Sequence, residues 1–428
     1  MHMERSWVPQ WLASIQTFTL ENGLQVVLLP DTASPLVAVV VVYRVGAQDE
    51  RPGETGFAHL FEHMMFQSSA HVRKNEFFRY IESHGGVFNG NTTHERTVYY
   101  EVLPATQLPL ALWLESDRMR ALTVSQEHLD NQRDTVKEER RFRYDNQPYM
   151  RGWIRLGELL FANFANAHPV IGYYEDLDRA TLPAVRAFFQ RYYRPNHAVL
   201  VIAGDIDVAV TREWVMHYFA DIAPGPEPER PDRTEPPVSE RKQVVLQDTN
   251  ARLPGLWMGW QIPPWGQADT YALLLLYYVL FEGKAARLYR KWIREQAICT
   301  QFYPIWDGRR GPGSVRVLVI ARPDASVEML LDSFYRDILT PPVTPEEFER
   351  ARMVLAAQLW RRWQELLERA LDVGESAALD HDPWALRRDL ESLARVRLQD
   401  VQRVCTEYLR ADRDVIVWIT PLSQEQVA

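Results

Sequence analysis

The residues with the clearest chemical potential are His59, Glu62 and His63, which stand in the order His-x-x-Glu-His within GFAHLFEHMMF, residues 56–66. On a helix, residues four apart lie one turn above each other, so the two imidazoles can converge on one point and offer zinc two nitrogen ligands. Glu62 stands beside them, within reach of a water at such a metal, and can take a proton instead of acting as a ligand. The order is the reverse of His-Glu-x-x-His, an inverted arrangement found among zinc hydrolases. With 11 histidines in 428 residues, a chance match is an event of about a few per cent. Phe57, Leu60, Phe61, Met64, Met65 and Phe66 surround the motif. So many apolar neighbours set the helix against a core, where polar side chains need partners, and they weigh against a pair of solvated surface histidines.

Zinc hydrolases keep three protein ligands and leave a fourth position open, so a third ligand is required. The charged run EHLDNQRDTVKEERRFR, residues 127–143, suits a helix whose buried edge is marked by Leu129, Val136 and Phe142. Glu138 and Glu139 are its candidates, and the chemistry of the run does not separate them; a solvated charged face describes most such runs. Residues 87–93 follow a Gly-Gly pair and precede a β-rich run, which reads as an exposed or edge strand, with a plain turn at Asn89 and Gly90 as the alternative. His84, His94 and His168 have no ligand spacing to the motif.

These elements must be positioned by a sizeable fold. At 428 residues the chain should hold two or more domains. Its 46% apolar and 25% charged content is that of an ordinary globular protein. The net charge of -9 and pI near 5.7 argue against a nucleic-acid partner and favour basic peptides. No apolar run has the length of a membrane span; Leu36 to Val42 reads as a β-strand. The start, MHMERSWVPQW, lacks the pattern of a secretory leader, and Cys299 and Cys405 are too few for a disulfide framework. The expected compartment is therefore the cytoplasm, with the periplasm as the alternative for a chain whose leader has been removed. Residues 223–240, APGPEPERPDRTEPPVSE, read as an extended linker between domains at 1–222 and 241–428. Across it the sequence repeats: LPDT at Leu29–Thr32 matches LQDT at Leu246–Thr249, and residues 177–202 match residues 393–418 at a nearly equal offset, the mark of duplication. The first offset puts His59, Glu62 and His63 onto Leu276, Val279 and Leu280, in a helix apolar on all sides. The second half has the helix without the chemistry.

Longer stretches resemble a known family: LENGLQVVLLPD (residues 20–31), GGVFNGNTTHERTVYY (85–100), HPVIGYYEDLD (168–178), RYYRPNHAVLVIAGDID (191–207) and GKAARLYRKWIREQ (283–296), together with the motif itself. They are similar to the pitrilysin-type M16 metallopeptidases, specifically the smaller M16B members related to the mitochondrial processing peptidase. The resemblance implies an α+β fold of two homologous α/β halves, of the LuxS/MPP-like metallohydrolase type. It implies one zinc per chain on His59, His63 and Glu139, since the family's third ligand falls on Glu139 and leaves Glu138 facing solvent. It implies Glu62 as general base in hydrolysis of peptides or unfolded segments inside a two-part chamber, with substrate main chain paired to the strand that carries Asn89 and Gly90. Many relatives have a second glutamate two helical turns before the third ligand; here Gln132 stands there, which keeps hydrogen bonding behind the ligands but not proton transfer. An arginine and tyrosine that relatives aim at the bound peptide are replaced by Trp292 and Cys299, with Arg294 and Tyr303 at the wrong spacing. A heterodimer with a metal-free M16 subunit is the expected assembly, and a homodimer the alternative. A catalytically silent M16 core subunit that binds or presents peptides is the competing function, against which the intact motif counts. Hydrolysis of non-peptide amides is a third reading and needs a small closed pocket.

Overall fold

The computed structural model describes residues 7–422; residues 1–6, the start of the segment read as lacking a leader, and residues 423–428 lie outside the description. The chain forms two compact units that are interleaved in sequence. Residues 1–137, 169–232 and 360–390 make the first, and residues 138–168, 233–359 and 391–428 make the second. The Pro-rich stretch 223–240 contains neither helix nor strand.

The first unit is built on a six-stranded sheet of β1 (Gln16–Thr19), β2 (Gln25–Pro30), β3 (Leu36–Tyr43), β4 (Val87–Thr92), β5 (Thr97–Pro104) and β6 (Ala198–Gly204), in the order β1-β2-β6-β3-β5-β4. Only β2 and β6 run parallel. The second unit contains β7 (Lys242–Asp248), β8 (Gly255–Ile262), β9 (Cys299–Asp307), β10 (Gly313–Ala321) and β11 (Val415–Pro421), in the order β7-β11-β8-β10-β9, again with one parallel pair, β7 and β11. The second sheet thus repeats the first from β2 onward, so the duplication read from the sequence is a duplication of sheets. The strand expected from Leu36 to Val42 is β3, and β4 is an edge strand.

Both β3 and β6 are buried along nearly their whole length, which requires cover on both faces of the sheet. Side chains alternate across a strand. Val40, Val42 and, on β6, Val201 face the helix Leu366–Leu379, where a Cβ on Gly374 would lie 3.0 Å from Val42 Cγ2 and 3.1 Å from Val201 Cγ2. Tyr43 and Tyr99 face the other way, with the helices Phe57–Met64 and Leu108–Ala121. The second sheet is covered in the same manner by the helix Met150–Leu160, whose Gly152 would set a Cβ 2.6 Å from Ile419 Cδ1 and 2.7 Å from Trp257 Cδ1. Each unit therefore borrows one covering helix from far along the chain, and each borrowed helix crosses its sheet at a glycine.

The repeated LPDT and LQDT fasten these helices. Asp31 pairs with Arg369 of the first borrowed helix at 2.6 Å, and Asp248, fully buried, accepts the Tyr149 N–H at the start of the second at 2.7 Å. Hydrogen bonding from the Ala33 amide, with Arg369 adding to it, holds Asp31 below the usual carboxylate range. Arg96 and Glu375, 3.2 Å apart, and Arg44 Nε on the Ala378 carbonyl, at 2.8 Å, tie down the rest of the helix Leu366–Leu379.

The helix Ala268–Leu280 buries Leu276, Val279 and Leu280, as its apolar sequence requires. One sequence expectation fails. The sequence puts Phe142 on the buried edge of the charged helix, but that helix ends at Arg140 and the chain widens into a π-turn at Arg141–Asp145, leaving Phe142 71% exposed. The wider turn rotates later side chains off the face set by Leu129 and Val136, both fully buried. No helix among the described residues is long and apolar enough to cross a membrane. Filling either glycine crossing with a branched side chain forces the packed layers apart. Gly374→Val and Gly152→Val are each expected to destabilise their unit by about 1–3 kcal/mol, read as a lower midpoint in urea unfolding; unchanged midpoints would show that the crossings have slack.

Candidate metal centre

The helix Phe57–Met64 has no capping side chain of its own, because Gly56 precedes it with φ 86°. Its first turn is capped from elsewhere. Glu50, 1% exposed, accepts the Gly56 N–H on Oε2 and the Ala58 N–H on Oε1, each at 2.8 Å. A carboxylate here satisfies two orphan amides and complements the positive end of the helix. Thr55 donates its hydroxyl to Asp176 Oδ2 at 2.6 Å and accepts the Tyr173 N–H at 3.0 Å. Gly56 also abuts Gly172, where a Cβ would lie 2.5 Å from the Gly56 Cα. At the far end, Tyr99 donates its hydroxyl to the Phe61 carbonyl at 3.2 Å.

This clamped helix presents His59, 9% exposed, and His63, partly exposed, with ring centroids 4.9 Å apart and planes at 73°. The third member comes from the helix Gln126–Arg140, which belongs to the first unit through residue 137 and carries Glu139 in its last turn. One donor atom from each of His59, His63 and Glu139 lies within 4.8 Å of the others. Among the described residues this is the group of His, Cys, Asp and Glu side chains that could hold a metal ion. Two imidazoles and one carboxylate are a donor set that divalent metals accept with a position left open, so the residues fit a metal. Arg143 pairs with Glu139 Oε1 at 3.0 Å, but its side chain is 67% exposed, and such a pair is worth about 1 kcal/mol or less, a weak competitor for a cation.

The neighbouring glutamate is different. Glu138 pairs with Arg141 in solvent, its side chain 65% exposed. Glu62, beside His63, receives the Thr92 hydroxyl on Oε2 at 2.6 Å. Gln132 is buried two turns ahead of Glu139 and donates to Asn131 Oδ1 at 2.7 Å. Asn89 and Gly90 lie in β4, not in a turn; Asn89 is exposed and its Oδ1 accepts the Gly90 N–H at 2.9 Å. His168 is buried, stacked on Phe164 and bonded through Nδ1 to the Phe164 carbonyl at 2.7 Å, while His84 is exposed. Trp292 is fully buried and donates its indole N–H to Asp337 Oδ2 at 2.8 Å; Cys299 is buried, and burial pushes its thiol up to about 12.

Sequence reasoning missed Glu50, Thr55, Asp176, Gly172, Thr92 and Tyr99. None sits at motif spacing. The available signal was the bare glycine start of the motif helix, which demands a cap from outside it.

Residues 25–151 match the family model described as insulinase (peptidase family M16), and residues 179–355 match the one described as peptidase M16 inactive domain. The chain belongs to the M16 peptidase family. It is 25% identical over 431 residues to zinc protease PqqE of Helicobacter pylori, covering 96% of this chain and 94% of that one. A protein of Mycobacterium tuberculosis described as an uncharacterized zinc protease is 27% identical across 75% of each chain. A crystal structure of a protease from Helicobacter pylori superposes with a TM-score of 0.90 at 23% identity, over 95% of this chain and 99% of that one. A structure described as the peptidase M16 inactive domain from Pseudomonas fluorescens gives 0.84 at 16% identity, over 96% and 98%. At these identities the structural likeness establishes the two-half M16 fold and nothing finer.

Since Glu50 holds two amides at once, Glu50→Ala is expected to destabilise the first unit by about 2–4 kcal/mol and to weaken metal uptake about ten- to a hundredfold. Urea unfolding and equilibrium dialysis against zinc measure the two effects. Unchanged values in both would mean that the Thr55 and Gly172 contacts suffice to fix the helix.

Proposed function

We propose that this chain is a zinc-dependent endopeptidase acting on extended, unfolded peptide segments, with His59, His63 and Glu139 as metal ligands and Glu62 as general base. The observation that carries the reading is the convergence of the two imidazoles and the Glu139 carboxylate within 4.8 Å, beside a Glu62 held by Thr92. The names of the relatives, zinc proteases, support the choice of metal and reaction. Bound zinc would polarise the scissile carbonyl and acidify water at the site. The remaining work falls to the chain's own side chains. Glu62 accepts a proton from the attacking water and returns it to the leaving amine, so that the amine departs neutral. Gln132 has no proton to exchange, so Glu62 performs this transfer without a second carboxylate at that position.

Substrate binding falls to β4. As an edge strand it has main-chain groups available to an added peptide strand, which gives affinity with little demand on side chains. Exposed Asn89 serves as a polar contact near the scissile bond, and Gly90 lets the peptide approach. Trp292 and Cys299, buried as they are, cannot supply donors to a bound peptide. That absence supports a working assembly with a second subunit, a metal-free M16 partner or else another copy of this chain, that brings the donors.

A silent, peptide-presenting subunit is the second reading, favoured by the likeness to a structure described as an inactive domain. Quenched fluorescent peptides and zinc analysis of the same samples separate the two. Glu62→Gln should retain zinc and lose turnover by about a thousandfold or more, while His59→Ala, His63→Ala and Glu139→Ala should lose zinc as well. Zinc retained by all three ligand variants would overturn the assignment. Bound zinc without turnover would leave a missing partner or the silent reading, separated by adding candidate M16 subunits.

A further inference from the structure

Glu62 is held from outside its own helix by β4. Thr92, 9% exposed, donates to Glu62 Oε2 at 2.6 Å. Gly90, two residues earlier and so on the same face of the strand, leaves so little room that a Cβ there would lie 3.0 Å from Glu62 Cγ and 3.3 Å from the rings of Phe66 and Tyr99. A threonine hydroxyl has one proton to give. Its other neighbour is Thr97 Oγ1, 3.4 Å away across the strand pair, and Thr97 gives its own proton to the Val45 carbonyl at 2.9 Å. The shorter, charge-assisted bond takes the Thr92 proton.

We infer that Thr92 is a positioning residue: through its hydroxyl, the edge strand fixes the rotamer of Glu62 and holds its carboxylate for the proton transfer of hydrolysis. The inference rests on the peptidase reading and deepens it. A glutamate side chain has three torsions to order, and an unanchored carboxylate reaches its working position only part of the time. With Gly90 making room for the stem and Thr92 holding the head, the strand that would receive an extended peptide also aims the base. An added peptide strand that stiffens β4 therefore sharpens the aim of Glu62, which links occupancy of the edge to catalytic readiness without any further moving part.

The test compares Thr92→Val, which keeps the shape and removes the hydroxyl, with Thr92→Ser, which keeps the hydroxyl and removes the methyl. Peptide turnover, zinc content and melting temperature are measured on each, and a crystal structure is determined for the valine variant. Valine should lower kcat by about ten- to a hundredfold with KM nearly unchanged and zinc retained, and serine should restore most of the loss. A packing role predicts the opposite order, with valine active and serine impaired, and that result overturns the proposal. So does a valine variant whose Glu62 keeps its rotamer. Failure of the peptidase reading shows separately, as wild-type protein without Glu62-dependent turnover; Thr92 is then judged on the Glu62 rotamer alone.

Discussion

A sheet whose central strands are apolar on both faces cannot stand with one face bare, and that constraint organises this molecule. The run LVAVVVVY in β3 and the fully buried β6 need a layer on each side. One layer comes from the neighbouring sequence. The other is the helix Leu366–Leu379, held by Asp31, Arg44 and Arg96 and seated through Gly374. The second sheet solves the same problem with Met150–Leu160, seated through Gly152 and held at its start by Asp248. Burial of this kind removes a large apolar area at roughly 25 cal/mol per Å², far more than any surface ion pair contributes.

The platform so formed lets the chemistry be placed from two directions. The motif helix is clamped at its start by Glu50 and at its far end by Tyr99, while β4 reaches Glu62 from the side. Behind them lies a buried cluster in which Arg118, between Glu101 and Glu115, stacks on Phe66, Phe77 and Tyr99 at 4.6–5.1 Å. Burial first, and then the Glu115 carboxylate, push Glu101 well above the ordinary carboxylate range. The buried charges are hydrogen-bonded to one another, as buried charges must be.

Periodic and motif-spaced features were legible in the sequence: the His-x-x-Glu-His helix, the apolar strand β3, the edge character of β4, the duplicated sheet and the featureless Pro-rich stretch. Residues 138–168 and 360–390 were not legible as belonging to the unit on the far side of their sequence neighbours. Nothing in an amphipathic helix says which of two similar sheets it will cover. The choice depends on close fit at Gly152 and Gly374 and on ion pairs between residues hundreds of positions apart. Glu50 and Thr92 escaped for a related reason, since a cap or a hydroxyl that acts across space leaves no spacing rule behind. Phe142 was misread because a helical period was carried through a point where the backbone changes its turn.

The interleaving sets a timetable for biosynthesis. A chain made from its amino terminus forward completes β1 to β6 long before residues 366–379 leave the ribosome. Throughout that interval the face of β3 and β6 that meets Gly374 lacks its own helix, while Met150–Leu160, already made, belongs to the other sheet. The first sheet gains its second cover only with the helix Leu366–Leu379, and the second sheet gains β11 later still. Nascent chains are thus exposed to premature closure and to association through the bare face until synthesis is nearly done, an exposure that the finished fold no longer displays.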